Sequence, residues 1–163
     1  MRLDLPEGFA GIRVVGDVHG EAEAFHAAIA GAEAARLFVL QIGDLTDHGP
    51  DSSGVLAAML ALIDRRAGLF LLGNHDHKLR RALLGQKVTV EAGGLDATLA
   101  QLARHPEGAV LATRAIAAIA RAPAWLVWRD ALFVHGGFHP AMLTEPSPPE
   151  AGARRPDGLV ARA

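Results

Sequence analysis

The chain has 163 residues, of which 50% are hydrophobic and 21% charged, and its formal net charge is −2. This composition is typical of one folded domain, and the charge balance gives no overall basic surface for nucleic acid, although it does not exclude a local patch. Because the sequence contains no cysteine, disulfides and thiolate metal sites are excluded. The N-terminus has no signal-peptide pattern and no apolar run reaches membrane-spanning length, so we expect a soluble cytoplasmic protein.

The first half of the sequence alternates strand-like and helix-like segments. Apolar runs that end at glycine indicate buried strands, and acidic or serine residues mark the starts of the helices between them. This alternation predicts an α/β layered sheet with right-handed crossovers. In chain order the predicted elements are a strand over 12–17, a helix over 21–31, a strand over 37–43, a helix over 52–66, a strand over 68–73 and a helix over 76–84.

The pattern changes after residue 85. Residues 95–104 and 110–121 predict two paired helices. The sequence WLVWRDALFVHGG (125–137) predicts a β-hairpin with Arg129-Asp130 at its turn. Its tryptophans are expected to pack in the hairpin rather than to stack on bases.

The end of the sequence differs in composition from the rest. Residues 144–163 are rich in proline and glycine, which favours a loop or a disordered tail. We therefore predict one domain over residues 1–143 followed by this tail.

Four apolar runs share one kind of ending, in which glycine stands next to Asp, Asn or His. In open α/β sheets, ligands bind at the carboxyl ends of the strands, so the fold gathers such endings into one place. Glycine lets the backbone turn sharply and approach a bound ion or phosphate. The four runs are VVGDVHG (14–20), QIGDLTDHG (41–49), LLGNHDHK (71–78) and LFVHGGFHP (132–140).

Five side chains in these endings are oxygen or nitrogen donors suited to manganese, iron or zinc: Asp17, His19, Asp44, Asn74 and His135. One ion is too few for five donors, so we predict two divalent ions that share Asp44, roughly 3.5–4 Å apart. Their excess positive charge would attract a phosphate, and a bridging water acidified by both would be the nucleophile. The alternative is that the acids and the amide are only turn residues and that His135 is a core histidine.

At these residues the chain resembles the calcineurin-like metallophosphoesterases, especially their Ser/Thr-phosphatase-type branch. The branch pattern GD-x-HG, GD-x-x-DRG, GNH-D/E and HGG is matched by GDVHG (16–20), GDLTDHG (43–49), GNHD (73–76) and HGG (135–137). Residues 73–102 are also similar to the phosphatase module of bacterial polynucleotide kinase-phosphatases and to bacterial symmetrical dinucleoside-tetraphosphatase-like proteins.

The resemblance implies a layered α-β-β-α sandwich and a metal-dependent phosphoesterase. The reaction would be hydrolysis of a phosphomonoester or a phosphoanhydride by a metal-bridging hydroxide. A phosphorylated small molecule such as a nucleotide, a polynucleotide end and a phosphoprotein all remain open as substrates. Neither the metal nor the oligomeric state follows from the sequence.

The resemblance also assigns roles to single residues. His75 would be the general acid that protonates the leaving oxygen, and Asp47 would orient it, the alternative being that Asp47 only closes a turn. Asp76 and His77 are expected to flank them at the start of a helix. The implied ligands are Asp17, His19 and Asp44 for the first metal, and Asp44, Asn74 and His135 for the second.

Two positions bear on phosphate binding. His48 stands where the family has an arginine that grips phosphate, and since histidine is shorter and only conditionally charged, we expect weaker or pH-dependent binding. Arg80 is a second candidate for a phosphate contact. Its alternative is a helix-end charge in solvent.

The sequence also departs from the family pattern at the second metal. The family closes that site with one more histidine downstream of HGG, and no histidine follows His139 in this sequence. We expect a C-terminally truncated domain that lacks the last strands of its second sheet, with a weak second metal or with a water, a neighbouring chain or His139 as the replacement ligand. The alternative function is a catalytically impaired metal- or phosphate-binding module that acts through a partner.

Overall fold

The computed structural model describes residues 2–90 and 92–143, so the predicted tail over 144–163 lies outside the described residues. Three parallel strands form one sheet in the order β1 (Gly11–Val15), β2 (Leu37–Gln41) and β3 (Gly68–Phe70). The predicted α/β class is confirmed. Each strand ends earlier than the predicted ends at residues 17, 43 and 73, because the backbone leaves the sheet before the functional loops begin.

Within the described residues, five α-helices connect and follow these strands: α1 (Ala22–Ile29), α2 (Ser52–Asp64), α3 (Asn74–Leu83), α4 (Leu95–Arg104) and α5 (Gly108–Arg121). The predicted start of the third helix at residue 76 is wrong. The helix begins at Asn74, directly after Gly73 at its N-cap. In the part of the chain that is described, no helix combines the length and the apolarity that crossing a membrane requires.

The predicted hairpin is confirmed. Strands β4 (Trp125–Trp128) and β5 (Ala131–Val134) pair antiparallel around Arg129 and Asp130. Arg129 takes a left-handed φ of 53° and places its guanidinium 4.4 Å from the centroid of the Trp128 ring. Trp125 is buried, as expected for a packing role.

Alternating side chains of the central strand β2 separate two cores. Val39 belongs to the larger core on the helical side, whereas Leu40 clusters with Leu71 and with Leu126 of the hairpin. The described residues therefore stack as helices, parallel sheet and hairpin, which are three of the four layers expected. This arrangement leaves the carboxyl ends of the parallel strands free to form a site.

Candidate metal centre and acid–base pair

The loops that carry the predicted residues have an unusual backbone. His19, Asp44, Asp47 and His48 all have φ between 47° and 74°, in the left-handed region that residues other than glycine rarely occupy. Each such residue costs on the order of 1–3 kcal/mol unless its surroundings stabilise it. Strain of this kind concentrates at functional sites, and here it occurs at four of the predicted site residues, which lie in two loops.

Asp44 lies at the centre of the five predicted donors. Its side chain is 5% exposed, and its Oδ2 atom lies 3.3 Å from His135 Nε2 and 3.8 Å from His19 Nε2. Asn74 Oδ1 lies 3.2 Å from the same His135 nitrogen. Asp17 is half-exposed, with one oxygen 3.7 Å from His135 Nδ1, and it also lies within 4.8 Å of ligand atoms of His19 and Asp44. The structure thus brings all five donors together.

Both histidines of this cluster are oriented by a backbone carbonyl. His19 Nδ1 lies 3.1 Å from the Thr46 oxygen, and His135 Nδ1 lies 2.9 Å from the Ile42 oxygen. A carbonyl can only accept, so each Nδ1 carries a proton and donates, which leaves each Nε2 facing Asp44. Metal-binding histidines usually have this arrangement, with one nitrogen fixed by an outer partner. The donor set and its orientation therefore fit divalent ions.

Asp44 and His135 are electrostatically coupled. Burial disfavours the charged form of Asp44, but hydrogen bonds from His135 and from the His75 amide outweigh it and hold the pKa of Asp44 below its usual value. The hydrogen bond with Asp44 raises the pKa of His135 to about 8, against the opposing effect of burial. A cation that binds His135 Nε2 must therefore displace a proton at neutral pH.

His75 and Asp47 form a close pair beside this cluster. His75 Nδ1 lies 2.7 Å from Asp47 Oδ2, and the Asp47 side chain is 1% exposed. The His75 amide donates to Asp44 Oδ1 at 3.0 Å, which fixes the pair relative to the candidate metal ligands. The geometry leaves His75 Nε2 as the nitrogen available to a substrate.

Two residues of α4 that the sequence analysis did not select support this pair. The Thr98 hydroxyl donates to Asp47 Oδ1 at 2.8 Å and accepts the Asp47 amide at 3.1 Å. Gln101 donates to the Gly49 oxygen and accepts the Ser52 amide. The sequence signal that could have identified Thr98 was its place on the buried face of α4, where its neighbours are leucines.

Asp76 has a larger structural role than its expected place at the start of a helix. It is fully buried and accepts hydrogen bonds from the amides of Asp44, Leu45 and Gly73 at 2.9–3.0 Å. Burial raises the pKa of Asp76 to about 6. Its carboxylate thus ties the loop after β2 to the start of α3. The sequence signal was an acid three residues after an N-cap glycine.

The two candidate phosphate contacts differ in position. The exposed His48 ring lies 5.2 Å, centroid to centroid, from both His19 and His75. Arg80 lies in the second turn of α3 with its Nε buried, and within the described residues no hydrogen bond or ion pair joins it to the cluster. His139 Nδ1 accepts the Ala141 amide. The role of His139 as a replacement ligand and the role of Arg80 as a phosphate contact stay predictions.

The sequence matches the model of the calcineurin-like phosphoesterase family over residues 11–147. Curated relatives include the asymmetrical bis(5'-nucleosyl)-tetraphosphatase PrpE of Geobacillus thermodenitrificans, which is 42% identical over 65 residues, or 40% of this chain and 26% of that protein. The protein of the same name from Halalkalibacterium halodurans is 39% identical over 61 residues, 37% of this chain and 24% of that protein. These matches span about a quarter of the relatives' length. The relatives are named as asymmetrical enzymes, whereas the sequence resemblance indicated the symmetrical type.

Two solved structures share the fold. One is provisionally described as a diadenosine tetraphosphatase, with a TM-score of 0.52, 22% identity, and coverage of 82% of this chain and 51% of that chain. The other is a cold-active protein tyrosine phosphatase, with a TM-score of 0.54, 20% identity, and coverage of 85% and 45%. At these identities the likeness concerns the fold alone.

Proposed function

This chain belongs to the calcineurin-like phosphoesterase family, and we propose that it is a metal-dependent phosphoesterase that hydrolyses a phosphomonoester or a phosphoanhydride. The observation that carries this proposal is the position of the buried Asp44 carboxylate between the Nε2 atoms of His19 and His135. A buried carboxylate faced by two oriented imidazoles supports a cation site over a role limited to the turn.

The donors divide between two ions. Asp17, His19 and Asp44 would hold the first ion, and Asp44, Asn74 and His135 would hold the second. All are oxygen or nitrogen donors, which suits manganese, iron or zinc. Bound ions would supply positive charge for the phosphate and would acidify the water that attacks it.

His75 is proposed to protonate the leaving oxygen. Its Nδ1 donates to Asp47, and the buried Asp47 carboxylate stabilises the imidazolium and keeps Nε2 directed away from the pair. A histidine oriented by a carboxylate is a common general acid, since its ordinary pKa lies near neutral pH. The exposed His48 is proposed to contact the phosphate, more strongly when it is protonated. Arg80 is kept as a weaker candidate for the same role.

The proposed substrate is a nucleotide with a phosphoanhydride bond. The names of the curated relatives support this choice, while a polynucleotide end or a phosphoprotein are the other classes that the reaction allows. We also propose that the phosphoesterase domain occupies residues 1–143, which include every motif residue.

Turnover with and without metal tests the function. We expect the chain to hydrolyse p-nitrophenyl phosphate and diadenosine tetraphosphate when Mn²⁺ is added, and Asn74→Ala to abolish both activities. His26→Ala, which removes an exposed histidine of α1, should leave them unchanged. A folded wild-type sample that binds Mn²⁺ without turnover would instead support the binding-module alternative.

A further inference from the structure

Three histidine rings meet at the edge of the candidate site. The ring centroids of His19, His48 and His75 are 4.9–5.2 Å apart in all three pairs, and the rings are steeply inclined to one another. One ring nitrogen of each lies within 4.8 Å of one ring nitrogen of both others. From this convergence we propose that the three histidines form an all-nitrogen metal site for Zn²⁺ or Cu²⁺, here called the tri-histidine site, which shares only His19 with the five-donor cluster.

Two of the three rings are already oriented as metal ligands. His19 Nδ1 donates to the Thr46 carbonyl and His75 Nδ1 donates to Asp47. Each ring therefore has its Nε2 available, and the carboxylate behind His75 holds that ring in a fixed orientation. Because these contacts already hold the His19 and His75 rings in place, little side-chain freedom of these two residues would be lost when an ion binds.

His48 supplies the third nitrogen with little constraint. Its side chain is exposed, and no described residue shares a hydrogen bond with its ring. Tetrahedral zinc with Zn–N bonds of about 2.0–2.1 Å needs nitrogens about 3.3–3.4 Å apart. Rotation of the exposed His48 ring can bring its nitrogen closer to the other two, and a small movement of the His19 or His75 ring would close the distance between those two nitrogens, which lie within 4.8 Å of each other.

The ligand types separate this site from the five-donor cluster around Asp44. Imidazole nitrogens without a carboxylate favour Zn²⁺ and Cu²⁺, whereas carboxylate oxygens suit Mn²⁺. His19 belongs to both sets, so occupation of the tri-histidine site competes with the first ion of the cluster. A metal bound at the tri-histidine site would also prevent His75 from transferring a proton, so Zn²⁺ bound there should inhibit phosphoester hydrolysis. That inhibition rests on the proposed function, but the binding site does not.

Zn²⁺ affinity, measured by competition with a chromophoric chelator, tests the site without any catalysis. The measurement uses the Asp17→Asn chain, which weakens the five-donor cluster and leaves the three histidines intact. His48→Asn is the test variant because asparagine tolerates the left-handed backbone at this position, where φ is 66°. His26→Asn is the matched control on another exposed histidine.

We expect His48→Asn to weaken Zn²⁺ binding at least tenfold and His26→Asn to leave it within twofold. Equal affinity in the two variants, with circular dichroism showing both folded, would overturn the tri-histidine site. A different result would reject the proposed function and leave the tri-histidine site standing. Loss of Zn²⁺ binding in His48→Asn without any Mn²⁺-dependent turnover of the wild-type chain would keep the site and reject the phosphoesterase.

Discussion

Thr98 and Asp47 are 51 positions apart in sequence and are joined by two hydrogen bonds. The Thr98 hydroxyl donates to Asp47 Oδ1 at 2.8 Å and accepts the Asp47 amide at 3.1 Å. The other carboxylate oxygen of Asp47 lies 2.7 Å from His75 Nδ1. Helix α4, which carries none of the motifs, therefore fixes the carboxylate that orients the proposed acid.

Thr98→Val should impair proton transfer more than substrate binding. Valine has a similar shape but leaves the Asp47 carboxylate free to rotate, so we expect kcat for an alkyl phosphate ester to fall on the order of tenfold with little change in KM, part of the 10²–10⁴-fold that a general acid contributes. The kcat for p-nitrophenyl phosphate should change little, because its leaving group needs no proton. Steady-state kinetics on both substrates measure the difference.

Thr98→Ser is the matched control, since it keeps the hydroxyl and should keep the activity on both substrates. An equal loss on both substrates in Thr98→Val would show that the threonine only supports the fold.

Asp76→Ala should be strongly destabilising. It leaves the buried amides of Asp44, Leu45 and Gly73 without their acceptor, and each unpaired buried donor costs about 1–3 kcal/mol. We expect the free energy of unfolding in urea to fall by at least about 3 kcal/mol. Asp51→Ala removes the exposed cap of α2 and should cost only about 1 kcal/mol. Similar losses in the two variants would contradict the role given to Asp76.

Metal affinity should depend on the protonation of His135. Its pKa is raised to about 8 by the hydrogen bond with Asp44, so below pH 8 a metal must displace a proton from Nε2. The apparent affinity for Mn²⁺ should fall by up to about tenfold per pH unit below 8 and become constant above it. Calorimetry in buffers of different ionisation enthalpy should detect about one proton released at pH 7 and none at pH 9.

The stability of the metal-free chain should depend on pH in the opposite direction to the Mn²⁺ affinity, because protonated His135 stabilises the fold. A histidine whose folded pKa exceeds its unfolded value of 6.5 stabilises the fold fully below pH 6.5 and loses that contribution as pH rises through 8. Thermal unfolding in chelator should therefore lose stability over this window. His135→Asn should remove both pH dependences, and their persistence would assign them to another group.

The sequence predicted the parts of the molecule that follow from local pattern. Runs such as those of β2 and the hairpin are apolar enough to define strands, and glycines before Asp17, Asp44 and Asn74 located the loops. The bounds of β3 and α3 were less predictable, because Leu71 and Leu72 are as apolar as a strand yet lie in the connection to α3.

The supporting contacts could not be predicted in the same way. Which carbonyl orients His135, or which hydroxyl holds Asp47, depends on how separate loops and helices pack. Thr98 carries no sequence signal beyond a polar residue at a buried position, and Asp76 stands out only as the last residue of GNHD, three positions after the N-cap Gly73. Their roles became apparent only from the distances to backbone amides and to Asp47.

Gly43 should be needed for the second metal and not only for the turn. Its φ is 104°, and a Cβ built there would lie 2.6 Å from His135 Nδ1, 2.8 Å from His135 Cγ and 2.9 Å from the backbone Cα of Gly73. Gly8 offers a matched control, since its φ is 98° but nothing lies within 4 Å of the added Cβ. Alanine in either place adds similar backbone strain, about 1–2 kcal/mol. Only Gly43→Ala must also displace the imidazole from Asp44 and Asn74. We therefore expect Gly43→Ala to lose more stability in urea than Gly8→Ala, and Gly43→Ala alone to lose one bound Mn²⁺ in equilibrium dialysis. Equal metal content in the two variants would mean that the His135 ring can move without leaving the site, and that the close approach at Gly43 is not what positions it.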